Sequence, residues 1–256
     1  MAGLRERLFA SQAVRRGPEG LEVLRFRPVT QLAHLFLFAG MVLLFFTGLA
    51  FFFKIGERQL FAGWGKLLGL PTSPPTYQLI SILHDIVGPL LMLIGVIIAL
   101  AFSVRPSSIK AAIPTREDVE VFIGIVKYRL GMQPERPKVD FYHPLQKLWI
   151  WMVVVGLALL GFSGFFLVLE KWLAVKILGD FWRGVMSLLH IIGAFLFYVG
   201  LPIHFLMAVA PINWPILKSQ FTLKGYVPLS WWKHHHPAYV EKVLGGEGSE
   251  GSREGG

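Results

Sequence analysis

The chain contains no cysteine. Thiolate-ligated iron–sulfur clusters, covalently attached c-type haem, disulfides and thiol chemistry are therefore excluded within it. Charge is scarce too: 16% of residues are Asp, Glu, Lys or Arg, 54% are hydrophobic, and mean hydropathy is +0.56. Four long stretches carry no charge at all, which a soluble domain rarely sustains. Acidic residues are outnumbered, 16 against 25 Lys and Arg, for a formal net charge of +9. The excess does not indicate nucleic acid, because the basic residues bracket apolar runs rather than share one face. A cleavable leader is not expected, since Arg5, Glu6, Arg7, Arg15, Arg16, Glu19, Glu22, Arg25 and Arg27 leave no apolar core near the start. No internal repeat is evident.

What is there reads as an all-α membrane protein with four transmembrane helices. The first span is expected over about Val29–Phe53, the second over Leu79–Val104 and the third over Leu148–Leu169. The fourth lies in 184–217, where Arg183 and Lys218 bound 34 positions without a charge. Pro89 inside the second span predicts a kink. Residues 1–28 form a basic arm in which Leu4, Leu8, Phe9 and Val14 fit a short interfacial helix or a loose segment. The loop between the first two spans carries Gly-rich and Pro-rich stretches, with Trp64 at a position suited to the headgroup level. Thr115 and Asp118 have capping-box spacing ahead of an amphipathic surface helix. Residues 218–244 form a polar and aromatic tail containing WWKHHHP, and 245–256 is a low-complexity, disordered end. Lys and Arg number six in the arm, eight in the 105–147 loop and five after 217, against six in the two other loops together. The positive-inside rule then places both termini and the central loop in the cytoplasm.

Polar rings inside lipid need a reason. His190 and His204 are fourteen residues apart, which at about 100° each returns to within roughly 40° of the starting direction, so they share a face. At about 1.5 Å per residue they stand ~21 Å apart, one toward each side of a ~30 Å hydrocarbon layer. The topology puts His34 at the cytoplasmic level and His84 at the outer level. Four histidines thus sort by depth into His84/His190 and His34/His204, the ligand pattern of two stacked b haems in a four-helix domain over 29–217. Two neutral imidazoles on one iron leave no site for oxygen chemistry and favour electron transfer. Gly88, Gly193 and Gly200 near these histidines make room for a flat macrocycle or for close helix packing. The competing reading is a histidine-based membrane metal-binding or transport protein, which wants ligands clustered at one depth.

The His34 position, LHDIVG around His84, QKLWIW at the third span, the His190/His204 pair, and KHHHP followed by Ala238 and Tyr239 together resemble the cytochrome b (gamma) subunit of membrane-bound formate dehydrogenases. The resemblance covers about Thr30–Val243. It implies two b haems held one for one by His34, His84, His190 and His204. It also implies a site near the cytoplasmic haem for a membrane quinone, menaquinone or ubiquinone. Quinone contacts are expected from His143, Gln146 and Lys147 before the third span, together with His204. His143 stands where relatives often carry asparagine, and Leu145 where they carry glycine. His143 reads either as a proton relay to quinone or as a cap of the helix that Pro144 opens. The implied partners are an outer iron–sulfur subunit and a molybdenum- or tungsten-dependent catalytic subunit. The chain itself is then a non-catalytic electron-transfer subunit in a prokaryotic inner (cytoplasmic) membrane. Related cytochromes of hydrogenases and thiosulfate or polysulfide reductases share parts of the haem pattern. His234, His235 and His236 read as a tail docked on the loop rather than a metal site. Asp85 orients His84, meets a partner or is a surface charge. Arg27 and Arg105 fit haem propionates or the topology signal equally.

Overall fold

The computed structural model describes residues 14–18, 20–52, 74–103, 106–174, 176–222 and 225–241. Leu4, Leu8, Phe9, Trp64, Arg105 and the 245–256 end lie outside the described residues. Four helices are long and apolar enough to cross a membrane: Pro28–Leu49, Gln78–Ala101, Pro144–Leu173 and Asp180–Val209. They are the four expected spans. The chain divides into two compact units, one drawn from Leu32–Ser103 and Val153–Phe205, the other from Met1–Gln31, Val104–Met152 and Leu206–Gly256.

The first unit holds most of the spans. Its core is Met41, Met92 and Phe197, with Leu37, Leu44, Val153, Leu157, Leu160 and Leu201 packed around them. Glycines let the helices approach. A Cβ on Gly95 would stand 2.8 Å from Leu37, and one on Gly156 would stand 2.6 Å from Phe197. The first span thus meets the second, and the third meets the fourth, through small-residue contacts. Gly88 and Gly193 belong to this packing: their added Cβ atoms would meet Leu44 at 2.5 Å and Leu160 at 2.9 Å. Outward-facing Leu90, Leu93, Ile97 and Phe195 are exposed, as lipid-facing positions should be.

Just ahead of Pro89 the second span makes a π turn over Leu83–Val87, closed by the Gly88 N–H bonding to the Leu83 carbonyl. Pro89 has no N–H for the carbonyl four residues back, and the wider turn accommodates the loss. His84 and Asp85 sit on this turn.

The charge-free run 184–217 is not one helix. The fourth span stops at Val209, Pro211–Asn213 forms a 3₁₀ turn, and a separate helix runs over Trp214–Phe221. Pro211 cannot extend the α-helical ladder. Asn213 Nδ2 donates to the Met207 carbonyl at 2.8 Å and Trp214 Nε1 to that of Val209 at 2.9 Å, so side chains satisfy the orphan carbonyls.

The second unit corrects the all-α expectation. β1 (Val14–Gly17), β2 (Gly20–Leu24) and β3 (Tyr226–Pro228) form an antiparallel sheet in the order β1-β2-β3. Val14 opens a strand, not a helix. Arg15 pairs with Glu22 across the hairpin at 2.8 Å. Val23 lies opposite Val227, and both are buried with Trp231, Trp232 and Val240. The burial of these side chains orders a basic arm that its charge content alone leaves open. The surface helix forms over Arg116–Arg129, and its box is made: Asp118 Oδ2 accepts from the Thr115 N–H at 2.7 Å and from its hydroxyl at 3.1 Å. This carboxyl is held below the usual range by its bonds to Lys147 and Thr115, which outweigh the opposing effect of desolvation.

Candidate functional site

The four intramembrane histidines meet in the two expected pairs. The ring centroids of His84 and His190 are 6.2 Å apart, and those of His34 and His204 are 6.4 Å apart. Both separations test whether a metal fits between the rings. A ring nitrogen lies about 1.1 Å from its centroid and bonds a metal at about 2.0 Å, so two trans imidazoles on one ion set their centroids ~6.2 Å apart. A direct imidazole–imidazole hydrogen bond or stack would be closer. Two imidazoles alone would not fill a metal ion's coordination shell, and a macrocycle would supply the remaining donors.

Hydroxyls fix the rings of the first pair. Thr47 Oγ1 donates its one proton to the Leu43 carbonyl at 2.7 Å. Its lone pair therefore accepts from His84 Nδ1 at 2.9 Å. Ser163 makes a similar arrangement: its hydroxyl donates to Leu159 at 2.6 Å and meets His190 Nδ1 at 3.1 Å, and the His190 ring also hydrogen-bonds the Leu160 carbonyl. Each imidazole is thus the Nδ1–H tautomer, and Nε2 carries the lone pair a metal needs. A glycine follows each hydroxyl. A Cβ at Gly48 would lie 3.2 Å from His84 Cε1, and one at Gly164 would lie 3.2 Å from His190 Cε1. On the second pair, His34 Nδ1 is buried without a hydrogen-bond partner. Each pair presents two imidazoles of the donor type and spacing that a haem iron would take.

The sequence and this geometry agree with one family. The model of prokaryotic cytochrome b561 matches residues 25–222. The chain belongs to that family. It is also similar to the formate dehydrogenase cytochrome b556 subunit of Haemophilus influenzae, at 24% identity over 226 residues, 87% of this chain and 84% of the relative. Membership makes the chain a prokaryotic membrane cytochrome whose cofactor class is haem b.

In this cytochrome the Asp85 side chain is buried. Its carboxylate accepts from Ser81 at 3.2 Å and Trp172 Nε1 at 3.2 Å and pairs with Lys171, tying the second span to the third. Buried Glu170 accepts the Leu178 N–H at 2.6 Å and lies 3.7 Å from Arg183, which fixes the turn into the fourth span.

His143, Gln146 and Lys147 come together in the other unit, at the start of the helix that becomes the third span. They form a cap. His143 Nδ1 accepts the Leu145 N–H at 3.2 Å, and Gln146 Oε1 accepts the His143 N–H at 3.0 Å. Lys147 reaches Asp118 at 2.9 Å. Burial, then the nearby Arg136 charge, lowers the His143 pKa, so the ring is neutral and carries its proton on Nε2. His204, the fourth expected quinone contact, belongs to the unit of the spans. Sequence reading missed Arg25 beside this cap. Arg25 donates to the Phe141 carbonyl at 3.0 Å, lies 4.4 Å over the Phe141 ring, and is pushed down to about 10 by burial.

The tail docks on the loop, as its histidines suggested. His236 Nδ1 donates to the Asp140 carbonyl at 2.6 Å, Arg136 to the His234 carbonyl at 3.1 Å, and Lys138 pairs with Glu241 at 2.6 Å. Among the described residues no group of three or more acidic or histidine side chains converges as a metal site. Burial pushes His236 down to about 3, and Arg25 adds to the shift. The unfolded ring takes a proton below about pH 6.5, the folded one only near 3, so stability is full above 6.5 and falls as pH drops through that window. The loss reaches at most about 1.4 kcal/mol per pH unit. Melting midpoints between pH 7.5 and 4.5 should fall, and His236→Gln, which keeps a donor for Asp140, should fall less steeply. Equal slopes would refute this role of His236.

Proposed function

We propose that this chain is the dihaem cytochrome b subunit of a formate dehydrogenase-like respiratory complex. His84 and His190 hold one b haem, and His34 and His204 the other. The observation that carries the reading is the two pairs of imidazoles, 6.2 and 6.4 Å between centroids, in one four-span unit. The relative's description as a formate dehydrogenase subunit supports the choice of complex. When bound, the haems supply one-electron transfer between an outer iron–sulfur subunit, fed by a molybdenum- or tungsten-dependent partner, and a membrane quinone on the cytoplasmic side.

The chain's own residues do the rest. His84 with His190, and His34 with His204, would hold the two irons, and two imidazoles on an iron would leave no site for oxygen. His143 offers an Nε2–H donor to a quinone carbonyl, with Gln146 and Lys147 holding the cap that aims it. Basic loops keep both termini on the cytoplasmic side, where the reduced quinone collects its protons.

The test is pyridine haemochrome quantification and a reduced-minus-oxidised spectrum of the purified chain. About two b haems per chain are expected. One haem, or none in a folded chain, overturns the reading. In proteoliposomes quinone reduction should draw protons from the side bearing the termini; uptake from the opposite side reverses the assigned direction.

A further inference from the structure

One arrangement occurs twice in the spans. Thr47-Gly48 on the first span faces His84 on the second, and Ser163-Gly164 on the third faces His190 on the fourth. A hydroxyl in a membrane helix ordinarily bonds the carbonyl one turn back, and both do so here. That bond uses the proton alone. The second bond, from the oxygen lone pair to an imidazole on a different helix, is not needed to satisfy the hydroxyl. It requires the ring to come close, and the glycine that follows each hydroxyl allows it.

The contrast within the same unit is informative. His34 Nδ1 is buried without a hydrogen-bond partner, so the pairing of hydroxyl and ring is not a general consequence of burial. Ser163 is fully buried and Thr47 is 6% exposed, so solvent does not compete for either bond. A hydrogen bond from Nδ1–H raises the electron density on Nε2 and makes it a stronger donor to a ferric ion. Stronger donation favours the oxidised iron and lowers its midpoint potential.

We infer that Thr47 and Ser163 are positioning residues for the His84/His190 haem: each hydroxyl accepts from the Nδ1–H of its imidazole, Ser163 alongside the Leu160 carbonyl, and lowers the midpoint potential of that haem alone. The inference rests on the four histidines being haem ligands. Neither hydroxyl touches the iron, and each acts only through its ring.

The experiment is redox potentiometry of the α bands in the purified holoprotein. Wild type is compared with Thr47→Val, Ser163→Ala, their double variant and Thr47→Ser. The haem lost in His84→Ala marks which band to follow. Thr47→Val and Ser163→Ala should each raise that midpoint, and the double variant should raise it further. Thr47→Ser, which keeps the hydroxyl, should stay at the wild-type value. The other haem's midpoint should not move in any of them. Loss of haem in Thr47→Val with retention in Thr47→Ser also assigns the role to the hydroxyl. Two haems with unmoved midpoints in the single and double variants overturn the clamp while leaving the ligand assignment intact. A shift in the other haem overturns it as well. A wild-type chain that binds no haem removes the ligand reading itself, and the clamp with it.

Discussion

Alanine at His84 or at His204 should remove one b haem and leave the other. On the proposed ligation each iron would have two protein ligands, so deleting one ring would leave a single imidazole. The facing geometry makes the losses pairwise. His84→Ala and His190→Ala should lose the same α-band component, and His34→Ala and His204→Ala should lose the other. Low-temperature difference spectra distinguish the two components. Changing an outer partner of a metal ligand costs about 10–100-fold in affinity or activity, so deleting the ligand should lower quinone reduction by more than ~100-fold. All four variants should fall to that level, because a chain of two carriers in series fails at either break. His236→Gln, in the other unit, should keep both haems. Loss of the same component from His84→Ala and His204→Ala would refute the pairing. Retention of both haems in any of the four would remove that histidine from the ligand set.

The parts of this arrangement that show in the sequence are those the bilayer enforces. A charge-free run has few other uses, and a histidine inside one is costly enough to stand out. The spans and their four histidines follow from that cost. The ends of the runs were less legible. Lack of charge carries on to 217, but Pro211 ends the fourth span at Val209, because the break is a matter of backbone hydrogen bonds rather than polarity. The sheet was not legible at all. β1 has no alternating pattern, and β3 is three residues that meet β2 from some two hundred positions away. Only the buried cluster of Val23, Val227 and Trp232 makes sense of the pairing. The glycines illustrate a misplaced signal. Gly88 and Gly193 lie close to ligands in sequence yet pack against Leu44 and Leu160, whereas Gly48 and Gly164, far from any ligand in sequence, touch the rings. The signal for the latter was present as the repeated hydroxyl–glycine step inside a span. A lone Ser or Thr in a membrane helix usually just bonds its own backbone, which hides it.

Gly225→Ala should prevent the second unit from assembling. Gly225 is buried with φ +70, a backbone conformation that costs a non-glycine residue roughly 1–2 kcal/mol. Space adds far more than φ does. A Cβ there would stand 1.8 Å from the Phe26 carbonyl oxygen, and the obstacle is backbone, with no rotamer to turn aside. Nor can the chain simply retreat. The Gly225 carbonyl accepts the N–H groups of Arg25 at 2.7 Å and Phe26 at 3.0 Å, which sets the approach of β2 to β3. Moving apart breaks those bonds and uncovers Val23 and Val227. The combined cost should exceed about 3 kcal/mol, a loss of roughly 10 °C or more in melting midpoint for a chain of this size. Gly131 supplies the control, because its φ is also +70 but a Cβ there would meet nothing within 4 Å. Gly131→Ala therefore carries the backbone cost alone and should lower the midpoint by only about 2–8 °C. Thermal melts of the two variants in one detergent separate steric exclusion from backbone strain. Equal midpoints for the two would show that the approach of Phe26 to Gly225 is not a fixed contact. Because His34, His84, His190 and His204 all lie in the other unit, surviving Gly225→Ala protein should still bind haem, which the difference spectrum reads in the same samples.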